Sequence, residues 1–373
     1  MRLCHMKHFY FFLAITQFCP VLLAKLDPRR CAGRQMLCKR RYNEVIYPAT
    51  HNGHSYKKSD VAHQDLSLKE QFDLGIRATT LNVWYDTDST GKVVPFVCQG
   101  IDKKLLYDPP LDKALEHVPF LFRPFARTCL EKAAPFKQVV LDAFTYAYGT
   151  DNSGGAIPFQ HCILDPARQP LQQALADVQT FLLDNPHEIM TLIIEDHTGH
   201  LQELAHDFKK AGLAKYVHTQ HLDKPWPTLQ QMTTSGKRLV VFVHGEADLE
   251  YKKFPWMHYL WDYAWDTKSD FKDVNMFKDC SYDTVPHRGK QAFAKRNDKP
   301  NNKVFVVNHF ITDLVGGSKP NAIKANRKNV LRTRLKHLQK ETGHLPNIVQ
   351  VDFFEYPSGD FFSVINELNG ILN

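Results

Sequence analysis

No glycine-rich phosphate loop follows any apolar run in this chain. Neither G-x-G-x-x-G nor G-x-x-x-x-G-K-[ST] occurs, which argues against a nucleotide-binding sheet. No C-x-x-C pair is present either, so a zinc finger or ribbon is not expected. After residue 24 no stretch is apolar enough to span a bilayer,. Arginines are not interleaved with aromatics in a stripe, and the formal charge of +7 is mild for a chain of 373 residues. Nucleic acid is therefore not an expected partner, and an anionic membrane surface suits the charge better. Low-complexity linkers and a separate C-terminal domain are also missing.

The first 24 residues have the character of an export signal. Arg2 and Lys7 precede the apolar run "FYFFLAITQFCPVLLA", which ends at Ala24 and is too short for a comfortable membrane span. Residues 1–24 are thus expected to be a signal peptide, residues 25–373 the mature protein, and the location extracellular. Removing the signal takes away Cys4 and Cys19 and leaves Cys31, Cys38, Cys98, Cys129, Cys162 and Cys280. An even set in an exported chain suggests disulfides, with fifteen pairings open. Cys31 and Cys38 are the easiest pair to propose because they lie close in sequence.

Short β-branched runs recur at 44–52, 77–86, 137–146, 189–200, 237–248, 302–313 and 347–357. Their near-continuous Val, Ile and Leu predict strands buried on both faces, as in a parallel sheet. Helical periodicity appears between them, over 170–186, 201–213 and 326–343. Strand then helix, repeated along the chain, predicts an α/β barrel or a doubly wound sheet. The strand ends favour the barrel. They carry His51 and Asn52, Asn82, Glu195 with Asp196 and His197, His244 and Glu246, Asn308 and His309, and Asp352. Barrel enzymes collect such residues at the C-terminal ends of many strands. The expected fold is a TIM-type (β/α)8 barrel, distorted by a long excursion after the second strand. That excursion, residues 91–155, is rich in Pro, Phe and Gly, and is read as a subdomain or lid inside the barrel domain.

Five stretches then carry a family resemblance. "CAGRQMLCKRRYNEVIYPATHNGHS" has a spaced cysteine pair, Tyr-x-x-Val and a strand ending in His-Asn. "LSLKEQFDLGIRATTLNVWYD", "PLQQALADVQTFLLDNPHEIMTLIIEDH", "WPTLQQMTTSGKRLVVF" and "VNHF…PNIVQVDFF" follow in order. Together they resemble secreted phosphatidylinositol-specific phospholipase C-like phosphodiesterases over most of residues 31–370. The resemblance implies a phosphoric diester hydrolase or lyase acting on an inositol phospholipid or related phosphodiester. A substrate hydroxyl would attack phosphorus, with one histidine as general base and another as general acid, since imidazole titrates near working pH.

His51 stands where the family places its first catalytic histidine and is the expected base. His161 is the expected acid, because the helix and N-P-x-E turn of the family follow it directly. The competing stretch holds Gln99 where a histidine belongs, and an amide cannot donate a proton usefully. Asp352 ends the last strand and is expected to orient His51 through a hydrogen bond. Arg77, Asn82 and His309 are candidate substrate contacts. In the family's calcium-dependent branch an Asn and several carboxylates hold the ion. Here Asn52 and Glu195 match, whereas Thr80 and Asn82 stand where acids would be, so a Ca²⁺ site is an expectation with fewer charges. The partner would be a phospholipid head group at a membrane surface, met by a monomer. Two alternatives remain. One is a catalytically silent barrel that binds phospholipid or protein. The other is a metal-dependent phosphodiesterase of different specificity, in which Glu195, Asp196 and His244 or His309 converge on a metal.

Overall fold

The computed structural model describes residues 31–32, 34–56, 62–100, 162, 165–245, 253–279, 282–283, 303–312 and 317–371. The expected signal segment, the strand candidate at 137–146, His161, Glu246, Cys129, Cys280 and most of the expected 91–155 excursion lie outside the described residues.

The first apolar run forms β1 (Tyr47–Thr50) and the second β2 (Ala78–Thr87). An antiparallel hairpin follows, with β3 (Val93–Val97) on β2 and β4 (Gln169–Pro170) on β3. The remaining strands are β5 (Met190–Asp196), β6 (Leu239–Gly245), β7 (Met257–Tyr259), β8 (Ala264–Thr267), β9 (Tyr282–Asp283), β10 (Val304–Asn308) and β11 (Ile348–Val351). The sheet runs β7-β6-β5-β2-β1-β11-β10-β8-β9. Eight of these, β1, β2, β5, β6, β7, β8, β10 and β11, pair in parallel. Because the first strand lies beside the last, the sheet curls into a barrel, with consecutive barrel strands as neighbours. It stays open at one seam: β7 and β8 are joined by a short helix at Leu260–Tyr263 and do not pair with each other. The fold is thus an α/β barrel of TIM type, distorted at that seam.

Strand alternation explains the continuous apolar runs. Leu192 and Ile194 of β5, Val241 and Val243 of β6, and Phe305 and Val307 of β10 join the outer core beneath the helices. Ile193, Val240, Phe242, Val304 and Val306 point the other way and fill the barrel interior, as side chains of period two must. The helices are α1 (Leu68–Leu74), α2 (Leu171–Asp184), α3 (Leu201–Lys210), α4 (Leu229–Ser235), α5 (Leu260–Tyr263), α6 (Lys319–Ala325), α7 (Lys328–Thr342) and α8 (Asp360–Leu368); α4 and α5 pack on the interior cluster, and α1, α2, α3, α7 and α8 pack on the outer one. The predicted stripe Leu171, Leu175, Val178 and Leu182 is the buried face of α2. Helix α1 starts at a capping box in which Ser67 N–H donates to Glu70 Oε2 at 2.8 Å,.

The N-terminal end of the barrel is plugged. Cys31, Leu37, Cys38 and Tyr42 pack with Trp226, Leu229 and Met232 onto the interior side chains. Tyr42 stacks on Tyr47 and hydrogen-bonds Thr191 Oγ1 at 2.6 Å. The disulfide Cys31–Cys38 ties this plug together, and a second one joins Cys98 to Cys162. With that end sealed, the C-terminal strand ends are the face left for a site.

Three histidines, His54, His258 and His309, are fully buried, and burial pushes the pKa of each down to about 3. All three are neutral in the fold at pH 7, whereas the unfolded chain would protonate them near the ordinary value of about 6.5. Stability is therefore full above about pH 6.5 and falls as acid protonates the unfolded state first, down to about pH 3. The slope is about 1.4 kcal/mol per pH unit for each histidine. Thermal melts should show a steep drop in Tm between pH 7 and pH 5, and a flat profile over that interval would refute this account.

Candidate functional site

The turn after β1 does more than reverse the chain. Asn52 sits in the left-handed region at φ 45°, which Asn tolerates better than most residues. Gly53 then donates its N–H to Thr80 O at 3.2 Å. A Cβ at Gly53 would collide with Thr79 Oγ1, Thr50 Oγ1 and Gln71 Oε1. The close approach of backbone to β2 thus demands glycine, and it fixes His51 at the strand end. Gln64 Nε2 donates to both His51 O and Val351 O at 2.9 Å, joining the ends of β1 and β11.

His51 and Asp352 meet across those two strand ends. His51 Nδ1 lies 2.9 Å from Asp352 Oδ1. A carboxylate accepts, so the proton sits on Nδ1 and leaves the Nε2 lone pair available. The His51 ring lies flat on Phe310, with centroids 3.8 Å apart and planes within 3°, and its side chain keeps 20% exposure. A second histidine, His63, reaches the same oxygen: its Nδ1 is 3.2 Å from Asp352 Oδ1. The two rings meet edge to face at 4.6 Å. Burial lowers the His51 pKa, and His63 adds to that, while Asp352 opposes it. For Asp352, burial alone would raise the carboxyl; the His63 and His51 rings outweigh it and hold the pKa at about 2. Asp352 is accordingly an anion, and His51 a neutral imidazole at pH 7.

Below this pair the interior turns polar. Thr80 Oγ1 donates to Gln350 Oε1, Gln350 Nε2 to Asn308 Oδ1 at 3.3 Å, and Asn308 Nδ2 to Asp266 Oδ1 at 2.7 Å. Four strands, β2, β11, β10 and β8, are thereby linked across the barrel. Asn82 is level with Glu195 in the β2–β5 register, and its Oδ1 is buried without a partner. Asn52 Nδ2 donates to Gln99 Oε1 at 3.2 Å. Gln99 follows Cys98, whose N–H binds Asn82 O and whose sulfur is bonded to Cys162.

The structure thus brings His51, Asn52, Asn82 and Asp352 to one mouth, and Glu195 biases the His51 ring electrostatically. Two expected substrate contacts are corrected. Arg77 precedes β2 at the opposite end of the barrel, level with Pro48, where it pairs with Glu188 at 2.8 Å and caps the carbonyls of Phe72 and Ile76. His309 is fully buried, with Nε2 at 2.8 Å from Ala325 O and Nδ1 at 3.1 Å from an Arg334 nitrogen; both ring nitrogens are used by the protein. The alternative metal centre of Glu195, Asp196 and His309 fails for that reason. It fails also because adjacent strand residues face opposite sides, and Asp196 Oδ1 is engaged by Thr198. His54, three residues after His51, is fully buried and not part of the mouth.

His63, Gln64, Phe310 and Gln350 were missed. His63 sits in a loop, where strand-end reasoning does not look, although a second imidazole twelve residues from His51 was a usable signal. Gln350 is a polar residue inside the apolar run "NIVQVDFF", and its inward parity was legible too.

The oxygen donors for Ca²⁺ are the Asn52 and Asn82 amides and the Glu195 carboxylate. Ca²⁺ takes six to eight oxygens, commonly with several carboxylates. One carboxylate, with His197 Nε2 3.5 Å from its Oε1, and two amides, one of them already paired through its nitrogen, do not fit a dedicated calcium site.

A histidine–carboxylate pair at the C-terminal mouth of a parallel barrel is the layout of a proton-transfer site in a barrel-type protein. The PI-PLC X family model, described as PI-PLC X 1, matches residues 140–369, and the chain belongs to that family. It is similar to PI-PLC X domain-containing protein 1 of Arthroderma benhamiae, 24% identical over 355 residues, covering 91% of this chain and 90% of that one. A PI-PLC X domain-containing protein of Arabidopsis thaliana is 28% identical over 219 residues, 56% of this chain and 47% of that one. Among solved structures, the phosphatidylinositol-specific phospholipase C of Listeria monocytogenes superposes with a TM-score of 0.49 at 15% identity, covering 90% of this chain and 96% of that one.

The Asp352 charge raises the His51 pKa against burial. Asp352→Asn should therefore lower the His51 pKa further, read by NMR titration of its ring protons. An unchanged or higher value would contradict the pairing.

Proposed function

We propose that this chain is a phosphodiesterase of the phosphatidylinositol-specific phospholipase C type. The observation that carries the reading is the His51–Asp352 hydrogen bond at the open end of the barrel. It turns Nδ1–H to the carboxylate and leaves Nε2 to accept a proton, while burial keeps the ring neutral at pH 7. In this reading His51 takes the proton of the attacking hydroxyl, and Asp352 stabilises the imidazolium that forms. His161, adjacent to Cys162, returns a proton to the leaving diacylglycerol oxygen. The buried Asn82 Oδ1 accepts a hydroxyl of the head group. Family membership and the two disulfides support a secreted protein meeting phospholipid at a membrane surface,. No step is assigned to Ca²⁺.

A second reading is favoured by one residue. Gln99 stands where the family resemblance calls for a histidine, and it hydrogen-bonds Asn52. If the proton donor is lost, the barrel binds a phospholipid head group without cleaving it.

Phosphatidylinositol vesicles separate the two, with phosphorus NMR following products in calcium and in EDTA. Hydrolysis is expected in both solutions, and His51→Ala and His161→Ala should each reduce it about 10²–10⁴-fold. A folded wild type that binds vesicles without releasing inositol phosphate would replace the enzyme with the binding protein.

A further inference from the structure

Orienting His51 requires one acceptor for one Nδ1 proton, yet Asp352 Oδ1 receives two. The nearest nitrogens of His51 and His63 lie 2.9 and 3.2 Å from that single oxygen, and one ligand atom from each of the three residues falls within 4.8 Å of the others. Two imidazoles and a carboxylate are the ligand set of zinc. Around a tetrahedral Zn²⁺ with bonds of about 2.0–2.1 Å, ligand atoms sit roughly 3.3 Å apart. The three atoms are therefore already spaced within a few tenths of an ångström of two of the edges that an ion would need.

The arrangement is also held in place. His51 N–H is fixed to Val351 O at 3.1 Å, His63 N–H to Ser55 O at 2.9 Å, and Phe353 N–H to His63 O at 2.8 Å. Asn326 Nδ2 binds Asp352 O at 2.9 Å. His63 and Asp352 are buried, while His51 remains partly exposed, so an ion can enter at the His51 side and keep an open fourth position. Calcium is a poor match to two nitrogens.

We propose that His51, His63 and Asp352 form an inhibitory zinc site. In the metal-free protein both imidazoles carry their proton on Nδ1. Zn²⁺ takes the Nδ1 lone pairs, so each ring loses that proton and gains one from solvent on Nε2, with no net proton change. His51 then presents an N–H where a base needs a lone pair, and proton abstraction stops. The loss of activity rests on the phosphodiesterase reading above; the metal site itself does not.

The test is titration of the EDTA-treated, dialysed full chain with Co²⁺, followed by visible ligand-field absorption, and with Zn²⁺ by calorimetry. His63→Asn and His51→Gln are run alongside, with circular dichroism confirming the fold of each. One equivalent with a tetrahedral cobalt spectrum is expected in the wild type and lost in either variant; His51→Gln, at a partly exposed turn, serves if His63→Asn does not fold. Zinc should lower phosphatidylinositol hydrolysis at least tenfold, reversed by EDTA and not reproduced by Ca²⁺ or Mg²⁺. Equal metal binding by wild type and both variants would overturn the site, and zinc bound there with full hydrolysis would overturn the inhibition. An inactive wild type that still loses its cobalt equivalent in the variants would sink the phosphodiesterase reading while leaving the metal site standing.

Discussion

A single carboxylate oxygen, Asp352 Oδ1, is where the chemistry of this barrel and its architecture coincide. An isolated carboxylate buried to 3% exposure would be driven to protonate,. Two imidazole N–H groups keep it ionised instead. The anion in turn sets the tautomer of His51 and draws the loop carrying His63 over the strand ends. Removing either partner leaves a buried group without its complement, which is the costly kind of loss. The surrounding hydrogen bonds serve this arrangement: Asn326 to Asp352 O, Gln64 to both strand ends, and Phe353, at φ 43°, back to His63.

The barrel supplies the setting by layers. Apolar side chains and the Tyr42–Trp226 plug seal the N-terminal end. The Thr80–Gln350–Asn308–Asp266 chain forms the next level, and the histidine–carboxylate cluster stands at the mouth. Each polar group in the middle level is satisfied by a neighbour from another strand, so it costs little to bury. The exception is the Asn82 Oδ1 atom. An acceptor left open beside a polar floor suits a hydroxyl-bearing ligand better than a charged one.

Much of this was legible in the sequence because it follows from parity and position. Val-rich runs with polar ends give strands, a barrel and a common mouth, and they give His51 and Asp352 as members of one site. What sequence does not carry is which end of a strand a residue occupies once the boundary moves by a residue or two. Arg77 lies just before β2, at the sealed end, where its guanidinium serves Glu188 and two carbonyls. His309 follows β10, but its ring turns outward against Ala325 and Arg334. The strands β7 and β8, at three and four residues, are too short to leave a periodic signal, so the open seam between them was illegible as well.

His63 marks the deeper reason for the remainder. It reaches the site from a loop that tertiary contacts alone bring over Asp352, and no local pattern encodes such a meeting. The same loop makes the site sensitive to what occupies Nδ1. With protons there, both rings donate to the carboxylate and His51 stays basic at Nε2. With a metal there, the geometry scarcely changes while the sense of Nε2 reverses. A second histidine on one carboxylate therefore turns a positioning device into one with two chemical states, and the state is set by what occupies Nδ1, on the side of His51 turned to Asp352.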